Sequence, residues 1–133
     1  MLPGDDVLSD RDAIVADLAR CDVLTAAARG DLESLAEFLT PLAAPAGTVL
    51  LRRGDVAEQF LLVTSGSARV AFGEEAAPKV AVVAQGSIVG EMALLRGTRR
   101  SATVTAMTGT RGLKGGRAAF ARLLASRGYW RRS

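Results

Sequence analysis

Fifteen residues in the second half of the chain say most about its fold, and they read Gly90-Glu91-Met92-Ala93-Leu94-Leu95-Arg96-Gly97-Thr98-Arg99-Arg100-Ser101-Ala102-Thr103-Val104. The run from Met92 to Leu95 favours a helix, and a glycine precedes it. A glycine turn that opens onto a helix presents unpaired backbone N–H groups, with the positive end of the helix dipole behind them. The stretch therefore predicts a cradle for an anion.

Two side chains in this stretch indicate which kind of anion is bound. Arg100 follows Glu91 by nine residues and enters a predicted strand, where its planar guanidinium suits two phosphate oxygens. Glu91 is only an acceptor, so a carboxylate beside a phosphate needs a donor such as a ribose hydroxyl. Either residue alone is more simply a solvated surface residue, but the two together, in register with the glycines, indicate a sugar phosphate.

Around this stretch the chain has the spacing of β-strands. Val70 and Phe72 alternate with Arg69 and Ala71, as in a strand with one wet face, and Ser65-Gly66-Ser67 predicts a tight turn. Several short strands at this interval predict an antiparallel roll. The segments with this pattern are Thr48–Leu51, Phe60–Val63, Ala68–Phe72, Val80–Ala84, Ile88–Val89 and Thr103–Ala106.

The residues before the roll have helical spacing. Ser9 and Asp12 resemble a capping box, which predicts a first helix over about residues 10–20. Gly30 and Asp31 give a second start signal, and Pro41 ends the apolar stripe that follows. The N-terminal segment is therefore predicted to be helical.

A fourth helix, Arg117 to Leu124, is predicted after the roll. The predicted architecture is mainly β with flanking helices. It is an antiparallel β jelly roll with an N-terminal helical segment, a short phosphate-cassette helix and a C-terminal helix. We divide the chain into a helical segment, 1–41, and a roll with its helix, 42–133, within a single domain.

Composition narrows the possible functions. The chain has no histidine and only one cysteine, Cys21, which disfavours His-based hydrolysis, the usual zinc sites and iron–sulfur clusters. We therefore expect no catalysis, no cofactor and no metal. No apolar run approaches the roughly 18 residues of a membrane span, and the N-terminus does not resemble a leader, so we expect a cytoplasmic protein without a membrane partner.

Charge is distributed unevenly along the chain. The first 40 residues contain 9 acidic and 3 basic side chains, whereas residues 41–133 contain 5 acidic and 14 basic ones. A basic second half favours an anionic ligand or partner. A nucleic-acid partner is disfavoured because no aromatic residues interleave with the arginines. Those arginines are Arg52, Arg53, Arg69, Arg127, Arg131 and Arg132.

The motif Gly-Glu-aliphatic-Ala-Leu-Leu, followed after four residues by Arg-Ser-Ala-Thr-Val, resembles the phosphate-binding cassette of cyclic-nucleotide-binding domains. Such domains occur in the catabolite activator protein, the regulatory subunits of cAMP-dependent protein kinase and cyclic-nucleotide-gated channels. The resemblance extends from Gly47 to about Leu124, and it includes the segments Gly47–Leu50, Arg53–Asp55 and Leu62–Gly66.

The resemblance implies roles for individual residues. Glu91 accepts the ribose 2′-hydroxyl, Arg100 pairs with the cyclic phosphate, and Ser101 reaches the phosphate or the purine. Ser101 favours cAMP as the ligand, with cGMP as the alternative. Arg99 stands where the family commonly has proline, and it is a competing phosphate ligand, but the spacing from Glu91 favours Arg100. The full set of expected ligand-binding residues is Gly90, Glu91, Met92, Ala93, Arg100, Ser101 and Ala102.

The resemblance also implies a signalling role. In this family a helix after the roll usually closes over the purine, and Tyr129 and Trp130 are candidates for that cap, unless sequence outside this chain supplies it. The segments Ile88–Ala106 and Gly115–Phe120 look most like the N-terminal sensor of bacterial cAMP-regulated protein lysine acetyltransferases. An acetyltransferase is therefore an expected output domain or partner.

Other interpretations remain open at this point. The domain is also compatible with the sensor half of a transcription regulator, or with a jelly-roll interaction module that has lost nucleotide binding. A cupin-type enzyme is disfavoured, because cupins bind metal mainly through histidines. With no dimerisation helix after the roll, we expect a monomer.

Overall fold

Two antiparallel sheets face each other in the computed structural model, which describes residues 3–126 and their side chains from Arg11 onward. The helices are α1 Pro3–Ala19, α2 Arg29–Ala36, α3 Glu91–Arg96 and α4 Arg117–Ala125, with a 3₁₀ turn at Asp22–Leu24. The strands are β1 Leu39–Ala44, β2 Val49–Leu51, β3 Phe60–Ser65, β4 Ser67–Phe72, β5 Lys79–Ala84, β6 Ile88–Val89, β7 Ala102–Ala106 and β8 Thr110–Gly115.

The strand order is β1-β8-β3-β6 in one sheet and β2-β7-β4-β5 in the other. This arrangement confirms the predicted mainly β, antiparallel roll with flanking helices. The predicted turn at Gly66 is present, and its φ of +84° suits glycine. The turn joins strands of different sheets, however, because β3 pairs with β6 and β8 while β4 pairs with β5 and β7.

The start signals predicted for the first two helices are wrong. Helix α1 begins at Pro3, so Ser9 lies inside it and does not cap it. Proline suits a first helical turn, where its missing N–H has no intrahelical partner in any case. Helix α2 begins at Arg29, which places Gly30 and Asp31 in its first turn rather than before it.

Two strands were not predicted from the sequence. Strand β1 contains Pro41, so the predicted boundary between residues 41 and 42 falls inside a strand. Strand β1 is at the edge of its sheet and has a neighbouring strand on one side only. Proline, which has no N–H to donate, is tolerated in such an edge strand. Strand β8 contains Gly112 and Gly115, which hide its period from the sequence pattern.

One hydrophobic core joins the helices to the sheet that contains β3. Leu18 of α1, Leu35 of α2 and Leu123 of α4 pack in the same buried cluster as Phe60 of β3. The Phe60 ring lies 5.8 Å from the ring of Phe120 on α4, centroid to centroid. The cassette helix α3 contributes Leu94 to this cluster. The core therefore connects the predicted binding segment to all three of the longer helices.

Cys21 also belongs to this core, where it packs as a small apolar side chain. Burial, together with the carboxylates of Asp17 and Asp22, raises the pKa of its thiol to about 11. The described side chains form no group of three His, Cys, Asp or Glu residues that could hold a metal ion. No helix within residues 3–126 combines the length and the apolar character needed to cross a membrane.

We expect Gly115→Ala to destabilise the fold by about 1–3 kcal/mol, because overpacking a dense core costs that much. A Cβ at Gly115 would lie 2.5 Å from the Cβ of Ala119 and 2.7 Å from Cδ2 of Leu39. Gly30→Ala is the matched control, since nothing lies within 4 Å of a Cβ there and alanine favours a helix. In urea unfolding, the free energy of unfolding should fall in Gly115→Ala and rise in Gly30→Ala. A change of the same sign in both variants would contradict this packing.

Candidate functional site

Gly90 opens the predicted cassette in a left-handed conformation, with φ +83°. Helix α3 follows it directly and ends at Arg96, where it is capped by Gly97, which is also left-handed. A Cβ at Gly90 would lie 2.5 Å from Nη1 of Arg100 and 2.8 Å from Cδ1 of Leu51. Glycine is therefore needed for two reasons, the backbone angle and the close approach of a guanidinium.

The Arg100 side chain is buried, with 8% of its surface exposed. Its Nη1 donates to the carbonyl of Gly90 at 3.0 Å, and its Nη2 donates to the carbonyl of Gln59. Burial lowers the pKa of this guanidinium, while the nearby Asp55 carboxylate acts in the opposite direction. Arginine keeps its charge in proteins, so the site contains a cation with little water around it.

The backbone on both sides of Arg100 is also held. Its N–H donates to the carbonyl of Asp55 at 2.9 Å, and its carbonyl accepts from the N–H of Gly54 at 2.9 Å. The loop between β2 and β3 is therefore paired with the segment that leads into β7. This pairing fixes where the guanidinium can lie.

Glu91 brings an unpaired acceptor to the same place. Its Oε2 atom is buried and has no hydrogen-bond partner among the described residues. Burial raises the pKa of this carboxyl, and a hydrogen bond with its own backbone N–H acts in the opposite direction. A buried acceptor without a donor costs free energy, so the position suits a ligand that brings a hydroxyl.

The predicted residues line one cavity of about 300 Å³, the low end of the usual range for small-molecule sites. One wall is apolar and comes from side chains of five strands, including Val70, Val83 and Ile88. The predicted set lies together in its lining: Gly90, Glu91, Met92, Ala93, Arg100, Ser101 and Ala102. The cavity thus has a cationic group, an acceptor and an apolar face.

The competing arginine lies elsewhere. Arg99 is exposed, and its Nη1 donates to the carbonyl of Gly54 at 2.9 Å. It is not among the residues that line the cavity, whereas Arg100 is. The predicted caps Tyr129 and Trp130 lie outside the described residues. Of the arginines considered for a nucleic-acid patch, Arg53 donates to the carbonyl of Gly73.

Sequence reasoning missed several parts of the site. Gln59 contributes only a carbonyl oxygen, which every residue type has, so no sequence signal could identify it. Asp55 lies in a segment that the family resemblance had included, but without an assigned role. The apolar wall could have been predicted from the sequence. Side chains alternate between the two faces of a strand, and Val70 and Val83 lie on the faces of β4 and β5 that line the cavity.

Comparisons with known proteins identify the family of the chain. The family model described as "Cyclic nucleotide-binding domain" matches residues 41–127. The acetyltransferase Pat of Mycolicibacterium smegmatis is 41% identical over 110 residues, which cover 82% of this chain and 33% of that protein. The chain therefore spans about a third of the length of this relative.

Solved structures resemble the chain closely. A cAMP-binding acyltransferase from Mycobacterium smegmatis aligns with a TM-score of 0.74 and 38% identity, over 92% of this chain and 38% of that one. The regulatory domain of Toxoplasma gondii PKA with cAMP aligns with a TM-score of 0.84 over 91% of this chain and 48% of that one. At 23% identity, this second likeness concerns the fold alone.

Glu91→Gln should stabilise the unliganded protein at pH 7. The folded-state pKa of Glu91 is raised above its ordinary value of 4.5, so ionisation above that pH favours the unfolded chain, in which the carboxylate is hydrated. Glutamine removes this penalty, and its advantage should disappear as the pH falls below 4.5 and the unfolded carboxylate also becomes protonated. Urea unfolding at pH 7 and pH 4 tests this.

Glu75→Gln is the matched control for the same chemical change at an exposed site. We expect it to alter stability by no more than about 0.5 kcal/mol at pH 7. A Glu91→Gln variant that is less stable than the wild type at pH 7 would mean that Oε2 of the carboxylate has a partner in the folded protein.

Proposed function

The chain belongs to the cyclic-nucleotide-binding domain family, and on this basis we propose that it is a non-catalytic sensor of cAMP, with cGMP as the alternative ligand. One observation carries the proposal. A single cavity contains both a buried guanidinium and a buried carboxylate oxygen without a donor. A cyclic ribose phosphate supplies an anion for the first and a hydroxyl for the second.

The ligand would lie with its phosphate against Arg100 and its ribose against Glu91. Arg100 has five N–H donors, so it can bind two phosphate oxygens and keep its bonds to backbone carbonyls. The amides near Met92, Ala93 and Ala102 would complete the phosphate site. The base would extend along the apolar wall formed by Val70 and Val83.

A cap over the base is a further part of the proposal. Two large apolar side chains on α3 beside the cavity, Met92 and Leu95, are 44% and 52% exposed. Apolar surface next to a binding cavity suits an apolar covering element. We therefore infer that a cap packs on α3, and Tyr129 and Trp130 remain the candidates within this sequence.

The relatives suggest which activity this domain regulates. This chain spans 33% of the acetyltransferase Pat and 38% of the solved cAMP-binding acyltransferase. We infer that it acts as a regulatory domain for an acetyltransferase, as part of the same protein or as a separate partner, in the cytoplasm. The domain itself would only bind and transmit.

Transmission would run through α3. Leu94 is 1% exposed and packs in the core cluster with α1, α2 and α4. The guanidinium of Arg117, the first residue of α4, donates to the carbonyl of Leu94 at 3.5 Å. A ligand that moves α3 must therefore repack these contacts, because a dense core does not deform continuously.

Titration calorimetry with cAMP should give saturable binding, weaker binding of 5′-AMP, and at least a roughly 30-fold loss of affinity in Arg100→Ala. Removing one partner of a desolvated charge pair costs about 2–5 kcal/mol. Arg100→Lys should recover only part of the affinity, because lysine keeps the charge but lacks the planar fork. Both variants are checked by circular dichroism and thermal unfolding.

Arg99→Ala is the matched control, since it removes the neighbouring arginine outside the cavity and should bind as the wild type does. In Glu91→Ala, which removes the acceptor altogether, the preference for cAMP over 2′-deoxy-cAMP should largely disappear. No binding of any nucleotide to folded wild-type protein at millimolar concentration would leave the interaction module as the better interpretation. Equal losses in the Arg99 and Arg100 variants would contradict the assigned phosphate ligand.

Hydrogen exchange should detect transmission. Saturating cAMP is expected to slow amide exchange in α3, where the ligand binds, and to change exchange in α4, which contacts it. Exchange in β1, which does not line the cavity, is the internal reference. Protection confined to α3 with no change in α4 would mean that binding is not transmitted along this route.

A further inference from the structure

Sheet edges attract other strands unless something blocks them, and three of the four edges among the described strands are blocked. Strand β1 contains Pro41, which lacks a backbone donor. Strand β2 has three residues and a register shift against β7. Strand β6 has only two residues. Each of these features is a known means of preventing edge-to-edge pairing.

The fourth edge, β5, has none of these features. It runs for six residues, Lys79-Val80-Ala81-Val82-Val83-Ala84, and pairs with β4 in continuous register without a bulge. Lys79 at its start is its only charged residue. Val80 and Val82 are 48% and 59% exposed. An edge that is β-branched, nearly uncharged and free of bulges is a template for another strand.

The orientation of β5 is known from the cavity. Ala81 and Val83 line the cassette cavity, so they face inward. Val80 and Val82 therefore face the outer side of the sheet, because side chains alternate along a strand. Any strand that adds to this edge must match that alternation.

We propose that β5 pairs with β5 of a second copy of this chain, antiparallel and about a two-fold axis. In the register centred on Ala81, Val80 of each copy lies opposite Val82 of the other, and all four valines share the outer face. Lys79 lies opposite Val83 of the second copy, so like charges are not opposed. The edge is thus complementary to itself.

Self-complementarity favours a second copy over an unrelated strand. A two-fold arrangement uses one edge from each copy and closes at the dimer, so it does not propagate into fibres. The contact is a single strand pair, smaller than the roughly 1,200 Å² at the low end of stable interfaces, so the dissociation constant should be about 0.1–1 mM. The monomer expected from the sequence is then the form at low concentration.

Sedimentation velocity of the unliganded chain from about 10 µM to 1 mM tests the pairing over this range of affinity. The wild type should shift from monomer to dimer. V80K/V82K, which places lysine opposite lysine, should weaken association at least tenfold. V80K/V82E places lysine opposite glutamate in both pairs, so it should still dimerise, and its dimer should weaken with added salt.

V49K is the matched control, because Val49 is exposed to 38% and lies on the opposite edge of the same sheet. It should associate like the wild type. A wild type that stays monomeric at about 1 mM, a V80K/V82K variant that still dimerises, a V80K/V82E variant that is monomeric, or growth beyond the dimer would each overturn the proposal. Circular dichroism confirms that each variant is folded, and no outcome depends on nucleotide binding.

Discussion

The guanidinium of Arg100 is held by the carbonyls of Gly90 and Gln59, and the other features of the site follow from this arrangement. A charged group that has lost most of its water must be bound by polar atoms of the protein. The two carbonyls belong to the cassette turn and to the residue just before β3, so one side chain joins segments that are distant in sequence. The carbonyl of Asp55, which accepts from the Arg100 N–H, adds a backbone tie at the same point.

The cavity keeps one acceptor unsatisfied, and this has a stability cost. Among the described residues, the only buried side-chain oxygen or nitrogen without a hydrogen bond is Oε2 of Glu91. Buried polar groups are almost always paired in folded proteins, and this exception lies where the proposed ligand would bring its ribose hydroxyl. Arg100 differs from Glu91 in this respect, because its guanidinium already donates to two backbone carbonyls in the unliganded protein.

What the sequence predicted well depends on local chemistry. The cassette could be predicted because a glycine, a carboxylate and a guanidinium each bring their function wherever the backbone places them. The strands that contain Pro41 and Gly112 could not be predicted, because proline and glycine usually interrupt a strand. Here the neighbouring strands of the sheet allow them. The role of the Gln59 carbonyl could not be predicted either. Every residue has a carbonyl, and only the fold brings this one to Arg100. The start of α1 at Pro3 was missed for a related reason, as the capping signal further along was stronger.

The geometry of α3 explains why a small ligand could affect the whole domain. The helix is six residues long and lies between two left-handed glycines, Gly90 and Gly97. Glycine at both ends accepts these left-handed backbone angles without the steric cost that other residues would have there. Its first turn lines the cavity, and Leu94 lies in the core with the other helices. In the proposed complex, contacts with a phosphate at one end would therefore be linked, through Leu94, to the packing of α1, α2 and α4.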